Sequence, residues 1–255
     1  VRRGDPRSRR PQRLVQRHHP QRQDRRLRRR RLLPLDPTYA STVGCSSGYD
    51  AVTIINGAHH IWVDHCDISD GTDGNLDVSL GSDNVTISWT KFHYTSRTDP
   101  VGNDSTGAYG HRFSNLVGGA DNLPGDVGLL NVTWHHDWWA DHAVERMPRV
   151  RYGKNHIFNN LYSSSGNNYC ARAGMQAELL LENNVFTGVA SPHEFNNAAD
   201  QGTAYITATN NTYTNATGTR ATGGGGTAFT TPPYAYTLDA TSGVQAAVQS
   251  GAGPH

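Results

Sequence analysis

The chain has 255 residues, 35% hydrophobic and 18% charged, long enough for one domain with a sizeable core. Its net charge of +1 hides two unlike parts: residues 1–31 hold 14 arginines against Asp5 and Asp24, whereas residues 32–255 hold 9 Lys or Arg against 20 Asp or Glu. No apolar run approaches the ~20 residues that span a bilayer and no signal peptide is visible at the start, so no membrane partner is expected, and the composition weakly suits an exported protein.

Residues 1–35 are dominated by Arg, Gln, Pro and His without apolar periodicity. Such a segment is expected to be disordered, or not to be native coding sequence at all. Its charge would suit a nucleic-acid-binding arm, but it lacks interleaved aromatics, so no nucleic-acid partner is expected. Cys45, Cys66 and Cys170 allow at most one internal disulfide, and their spacing fits no zinc site.

From Asp50 the chain becomes regular. Strand-like runs of β-branched and aromatic residues recur, each ending at a landmark: Ile68, Phe92, Trp139, Tyr162, Phe186 and Tyr213, spaced by 24, 47, 23, 24 and 27 residues. The interval of 47 is close to two periods, and Leu116-Val117 is the expected missing rung. A repeat of about 23 residues without helical periodicity predicts stacked parallel strands, each coil burying its apolar face against the next. Asn recurs at one corner, where it tolerates left-handed backbone and can form amide ladders. The expected fold is therefore all-β, a right-handed parallel β-helix over residues 36–255. After Thr217 the Gly-rich stretch Gly223–Gly226, a Pro-rich segment and a helical pattern over Ser242–Gln249 predict a C-terminal cap.

Two clusters carry chemistry. Asp50 precedes a strand-like run, and Asp73-Gly74-Asn75-Leu76-Asp77 follows about one coil later, so Asp50, Asp73 and Asp77 are expected side by side. Converging carboxylates repel unless a cation neutralises them, and hard oxygen donors without thiolate point to Ca²⁺. The plainer alternative gives Asp70, Asp73 and Asp77 ordinary turn duties. Downstream, Glu145-Arg146-Met147-Pro148-Arg149-Val150-Arg151-Tyr152-Gly153 sets three guanidinium groups at a strand start, with Arg149 and Arg151 on one face. Guanidinium groups so held suit carboxylate recognition. The histidines, His65 and His135 among them, lack a metal-binding spacing and are expected to be structural.

These segments, with Trp62-Val63-Asp64-His65 and Gly81-Ser82-Asp83-Asn84-Val85-Thr86-Ile87-Ser88-Trp89, occur in an order that resembles the pectate lyase family of parallel β-helix polysaccharide lyases. The resemblance runs from about Tyr49 to Tyr162 and more loosely onward. It implies Ca²⁺ ligands at Asp50, Asp73 and Asp77, Arg146 as the base, and Arg151 as a ligand of the substrate carboxylate. Arg112, in His111-Arg112-Phe113-Ser114-Asn115-Leu116-Val117-Gly118, stands near a position where the family carries a substrate-binding Lys. The implied activity is Ca²⁺-dependent β-elimination on polygalacturonate (pectate) by a secreted monomer, truncated at its N-terminus relative to the family. Esterified pectin is the less expected substrate, because an ester offers no negative charge to bridge. A non-catalytic carbohydrate-binding β-helix, or an inactive fragment, is the alternative.

Overall fold

The structure, a computed structural model, describes residues 50–95, 111–196 and 202–255. The expectations for residues 1–35 and for Cys45 fall outside these. Within them, each coil contributes three short parallel strands separated by corners, and successive coils hydrogen-bond in register. Coil one is β1 (Val52–Ile54), β2 (His59–Asp64) and β3 (Asp67–Ser69), and coil two is β4 (Leu76–Val78), β5 (Asp83–Ser88) and β6 (Lys91–His93). Coil three is β7 (Asn115–Val117), β8 (Val132–His135) and β9 (Trp138–Trp139). In coil four the long β10 (Arg149–Phe158) supplies the first two rungs and β11 (Leu161–Tyr162) the third; β12 (Ala171–Glu182) and β13 (Val185–Thr187) do the same in coil five. Coil six is β14 (His193–Phe195), β15 (Tyr205–Thr209) and β16 (Thr212–Thr214). The result is the expected right-handed parallel β-helix, with the first and second stacks joined through β10 and β12.

The landmark residues all lie on the third stack. Ile68, Phe92, Trp139, Tyr162, Phe186 and Tyr213 are direct register partners from coil to coil. Their rings form an internal column, with centroid distances of 5.8, 4.6, 4.3 and 5.3 Å from Phe92 to Tyr213. Stacked apolar rings bury large areas and hold the register. One expectation is corrected here. Phe92 pairs directly with Trp139, so the 47-residue interval is a single coil with a long excursion. Leu116-Val117 belongs to β7 on the first stack, opposite Asp77-Val78. An insertion at a corner leaves the stacking unit unchanged, so sequence spacing overcounted the coils.

Each strand-like run in the sequence bends at one residue of left-handed backbone: His65, Trp89, His136, Asn159, Asn183 and Asn210, with φ between 48° and 58°. The next residue in each coil faces inward. Asn160, Asn184 and Asn211 form an amide ladder there, the Asn160 Nδ2 donating to Asn184 Oδ1 at 3.0 Å and the Asn184 Nδ2 to Asn211 Oδ1 at 2.9 Å. Coil three places Asp137 in the ladder. It is fully buried, its Oδ1 accepts from the Thr90 N–H at 2.9 Å, and its Oδ2 has no hydrogen-bond partner. Burial pushes this carboxyl well above the usual range, which favours its neutral form. A carboxyl that must stay neutral stabilises the fold fully only below its unfolded pKa of about 3.9, and that contribution drains away as pH rises. Asp137→Asn restores the amide donors. It should raise the Tm at pH 8 and leave it nearly unchanged at pH 4, as thermal melts across this range would report; equal shifts at both pH values would refute the assignment.

Beyond coil six, β17 (Gly223–Gly224) pairs antiparallel with β15 and covers the last open edge of the second stack. The approach is close enough that a Cβ on Gly224 would lie 2.0 Å from the Ala204 carbonyl oxygen, which explains the run of glycines. The tail then crosses the outside of the second stack. Tyr234 Oη lies 2.9 Å from His156 Nδ1, and Tyr236 donates to Glu182 at 2.7 Å. Helix α1 (Thr241–Gly251) completes the C-terminal cap, burying Val244 and Val248 against the outward-facing Leu161 and Val185 of the third stack. Among the described residues Cys66 and Cys170 are free thiols, and no helix is long and apolar enough to cross a membrane.

Candidate active site

The acidic residues gather at the start of the first stack. Asp50 sits just before β1, where the Ala51 N–H donates to the Gly74 carbonyl at 3.0 Å. Asp77 is the middle residue of β4, between the buried Leu76 and Val78, in register with Thr53 on one side and Leu116 on the other. The one-coil spacing therefore does bring them together. A Cβ on Gly74 would stand 2.8 Å from Asp50 Oδ1 and 3.0 Å from Asp77 Oδ1, so both oxygens close on one point that only glycine leaves open. Asp50 Oδ2 accepts from the Thr53 hydroxyl at 3.3 Å, but Asp50 Oδ1 is buried without a hydrogen-bond partner. Asp77 Oδ1 accepts from the Leu116 N–H at 2.9 Å. Asp73 is turned toward His111, whose Nε2 lies 2.8 Å from its Oδ1.

The electrostatics follow from this crowding. Burial, and then the charge of Asp50, push Asp77 up to about 8. Burial and the neighbouring Asp73 raise Asp50 as well, whereas the hydrogen bond from His111 holds Asp73 below its ordinary value. The Arg146 guanidinium acts on all three carboxylates, favouring their charged forms, which places a cation facing the acidic cluster. Two carboxylates with raised pKa around an unsatisfied buried oxygen form an anionic cradle. Its donors are hard oxygens only, which suits Ca²⁺ and disfavours thiolate-seeking metals. Among the described residues no group of three or more His, Cys, Asp or Glu side chains is placed to hold a metal ion; the close approach is between Asp50 and Asp77, with Asp73 turned to His111.

The basic residues come from the coil-four entrance. Arg146 has left-handed backbone, φ 60°, a conformation few non-glycine residues adopt. Its guanidinium carbon lies 4.3 Å from the centre of the Phe113 ring, and its Nε is buried without a partner. In β10 the burial alternates as expected: Val150 and Tyr152 point into the core while Arg149 and Arg151 share the outer face. Arg151 is held by Asp121 at Nε and by the Gly118 carbonyl at Nη1, 2.8 Å away. Burial, and then the charge of Arg151, lower the pKa of Arg149. Arg112 is buried, its Nε donating to the His142 carbonyl at 2.9 Å.

Four contributors went unnoticed in the sequence: Gly74, His111, Phe113 and Asp121. His111 reaches Asp73 across 38 residues, and Asp121 reaches Arg151 across 30. Only the close approach at Gly74 had a visible signal, a glycine between two aspartates.

A solenoid that sets an oxygen-lined carboxylate pair next to outward-facing arginines defines a structural class: parallel β-helix proteins with a charged site on the flank of the first stack. The comparisons narrow it. The family model described as pectate lyase matches residues 33–255, and the chain belongs to that family. It is 31% identical over 173 residues to a pectate lyase of Bacillus subtilis, covering 59% of this chain and 37% of that protein. It is 34% identical over 180 residues to pectate lyase E of Dickeya chrysanthemi, covering 60% and 40%. Among solved structures, a Bacillus subtilis pectate lyase mutant superposes with a TM-score of 0.59 at 26% identity, covering 81% of this chain and 53% of that one. A pectate lyase bound to a hexasaccharide superposes with a TM-score of 0.61 at 25% identity, with the same coverage of 81% and 53%. The match thus spans about two fifths of the curated relatives' own length.

Proposed function

We propose that this chain is a calcium-dependent pectate lyase, secreted and monomeric, that cleaves α-1,4-polygalacturonate by β-elimination and releases 4,5-unsaturated oligogalacturonates. The observation that carries the reading is the cradle over Gly74, where Asp50 and Asp77 oxygens meet within the field of Arg146. Membership of the pectate lyase family supports it.

Asp50, Asp73 and Asp77 would hold the ion. An ion held by these residues would supply Lewis acidity, lowering the cost of negative charge that develops as the C5 proton leaves. Arg151, fixed at Nε by Asp121 and at Nη1 by Gly118, presents its remaining edge to a uronate carboxylate and stabilises the negative charge that develops there. Arg146, in its neutral guanidine form, accepts the C5 proton; the C4–O bond then breaks, the electron pair left at C5 becomes the C4=C5 double bond, and the leaving oxygen takes a proton from solvent water. The stack on Phe113 orients the guanidinium without using its hydrogen-bonding edge. Free guanidinium ionises above about 12, so a guanidinium base implies activity that climbs on the alkaline side. Arg112 enters as a supporting charge behind the site, because its Nε is committed to His142.

The test is ultraviolet absorbance of unsaturated product from polygalacturonate, with calcium or with chelator. A rise that chelator abolishes and calcium restores is expected, steeper with unesterified than with methyl-esterified substrate. Binding of polygalacturonate without any product would instead establish a non-catalytic β-helix.

A further inference from the structure

The middle residues of the first stack form one row across the solenoid. Thr53, Asp77, Leu116, Arg149, Arg172 and Glu194 are direct register partners, one from each coil. The row thus leads from the acidic cradle into the arginine group. Arg149 stands two strand spacings from Asp77, about 9–10 Å along the solenoid axis. That separation is long enough to part the carboxylates of different sugars in one chain.

Arg149 differs from the arginines around it in having no counter-charge. Arg151, two residues on, is held by Asp121 and by the Gly118 carbonyl. Arg172, on the next rung, is paired with Glu194, and its guanidinium carbon lies 3.4 Å from the centre of the Tyr169 ring. Glu145, just upstream, accepts from Asn168 Nδ2 at 2.8 Å. The Arg149 side chain is half-buried, yet among the described residues it makes no hydrogen bond or salt bridge. Its charged neighbours are chiefly cations: burial and then Arg151, with Arg146 and Arg172, lower its pKa, and Tyr169 opposes them in part. A desolvated guanidinium among like charges is unfavourable in the free protein and becomes favourable once an anion enters. The planar fork of donors suits a carboxylate taken in a bidentate way.

We propose that Arg149 is a further carboxylate-binding position in the groove, gripping the acid of a different sugar from the one at the cradle. The identity of that sugar as galacturonate rests on the function proposed above. Arg149 would then select runs of unesterified residues, because a methyl ester on this sugar leaves the guanidinium unmatched.

The test pairs kinetics with direct binding, both in calcium. On polygalacturonate, Arg149→Gln should raise KM about tenfold through loss of one charge-assisted contact and leave kcat nearly unchanged. Arg149→Lys, which keeps the charge but not the fork, should recover part of the loss. Without substrate, Arg149→Gln should melt no lower than the wild type, since it removes a cation from among cations. Calorimetric titration with a galacturonate hexamer in an Arg146→Ala background, where turnover is blocked, should show affinity falling about tenfold when Arg149→Gln is added. Hexamer binding that is absent, or unchanged by Arg149→Gln, overturns the proposal. So does a variant that melts lower or loses kcat at unchanged KM, which would make Arg149 structural. A wild type that binds the hexamer but forms no product would sink the lyase reading alone, because the binding comparison does not depend on turnover.

Discussion

Arg146→Ala should lower kcat on polygalacturonate by about 10²–10⁴-fold, the range set by loss of a general base, while KM changes little. The geometry separates chemistry from stability at this position. The guanidinium's Nε is buried without a hydrogen bond, and its main contact is the face of Phe113 at 4.3 Å. Removing it costs only that cation–π contact, about 0.5–2 kcal/mol, and some attraction to the three carboxylates. The variant should therefore remain folded and still respond to calcium. Steady-state kinetics beside a thermal melt decide the matter. A variant that keeps most of its kcat would move the base elsewhere, and one that fails only because it unfolds would make Arg146 structural.

The second large effect concerns Asp77 and has opposite signs with and without metal. With chelator present, Asp77→Asn should raise the Tm at pH 8. The carboxyl's pKa is pushed up to about 8 by burial and by Asp50. Its unfolded value is near 3.9, so the wild type's stability contribution from this group is complete below about pH 4 and is lost as pH rises toward 8. An amide removes that loss, worth on the order of a few kcal/mol, and its oxygen can still accept from the Leu116 N–H. With calcium present the order should reverse. On the proposed function the wild type should gain stability from the ion, whereas the variant, short of one anionic ligand, should gain little and lose activity. Melts at pH 4 and pH 8, each with calcium and with chelator, read both signs. A destabilised variant in chelator at pH 8 would mean that Asp77 is not a strained anion, and equal calcium stabilisation of both proteins would remove it from the ligand set.

Legibility differed between the fold and the site. The third stack was open to reading because its aromatic landmarks are large, inward and repeated, and they prove to be mutual register partners. The first stack was harder. Its rungs are three-residue strands such as Val52–Ile54 and Leu76–Val78, too short to carry a pattern. That weakness let Leu116-Val117 be assigned to the wrong stack. At the site, the approach of Asp50 and Asp77 was legible because one-coil spacing converts directly into proximity, and the shared face of Arg149 and Arg151 because strand residues alternate. His111, Phe113 and Asp121 were not, since loop residues reach their partners by paths that no period encodes.

What the amino-acid order determined on its own is the repeating unit: apolar residues at fixed intervals, with corner residues tolerant of left-handed backbone, admit one economical way to bury the core. Tertiary structure decided the rest. It set which carboxylates face one another across Gly74, which arginine is held by Asp121 and which stacks on a ring, and that the tail packs over Thr133 and His156. The physical reason is range. A periodic pattern acts through neighbours in the stack, whereas charge pairing and close approach depend on distances of a few ångströms between segments that the chain brings together only when the solenoid has closed.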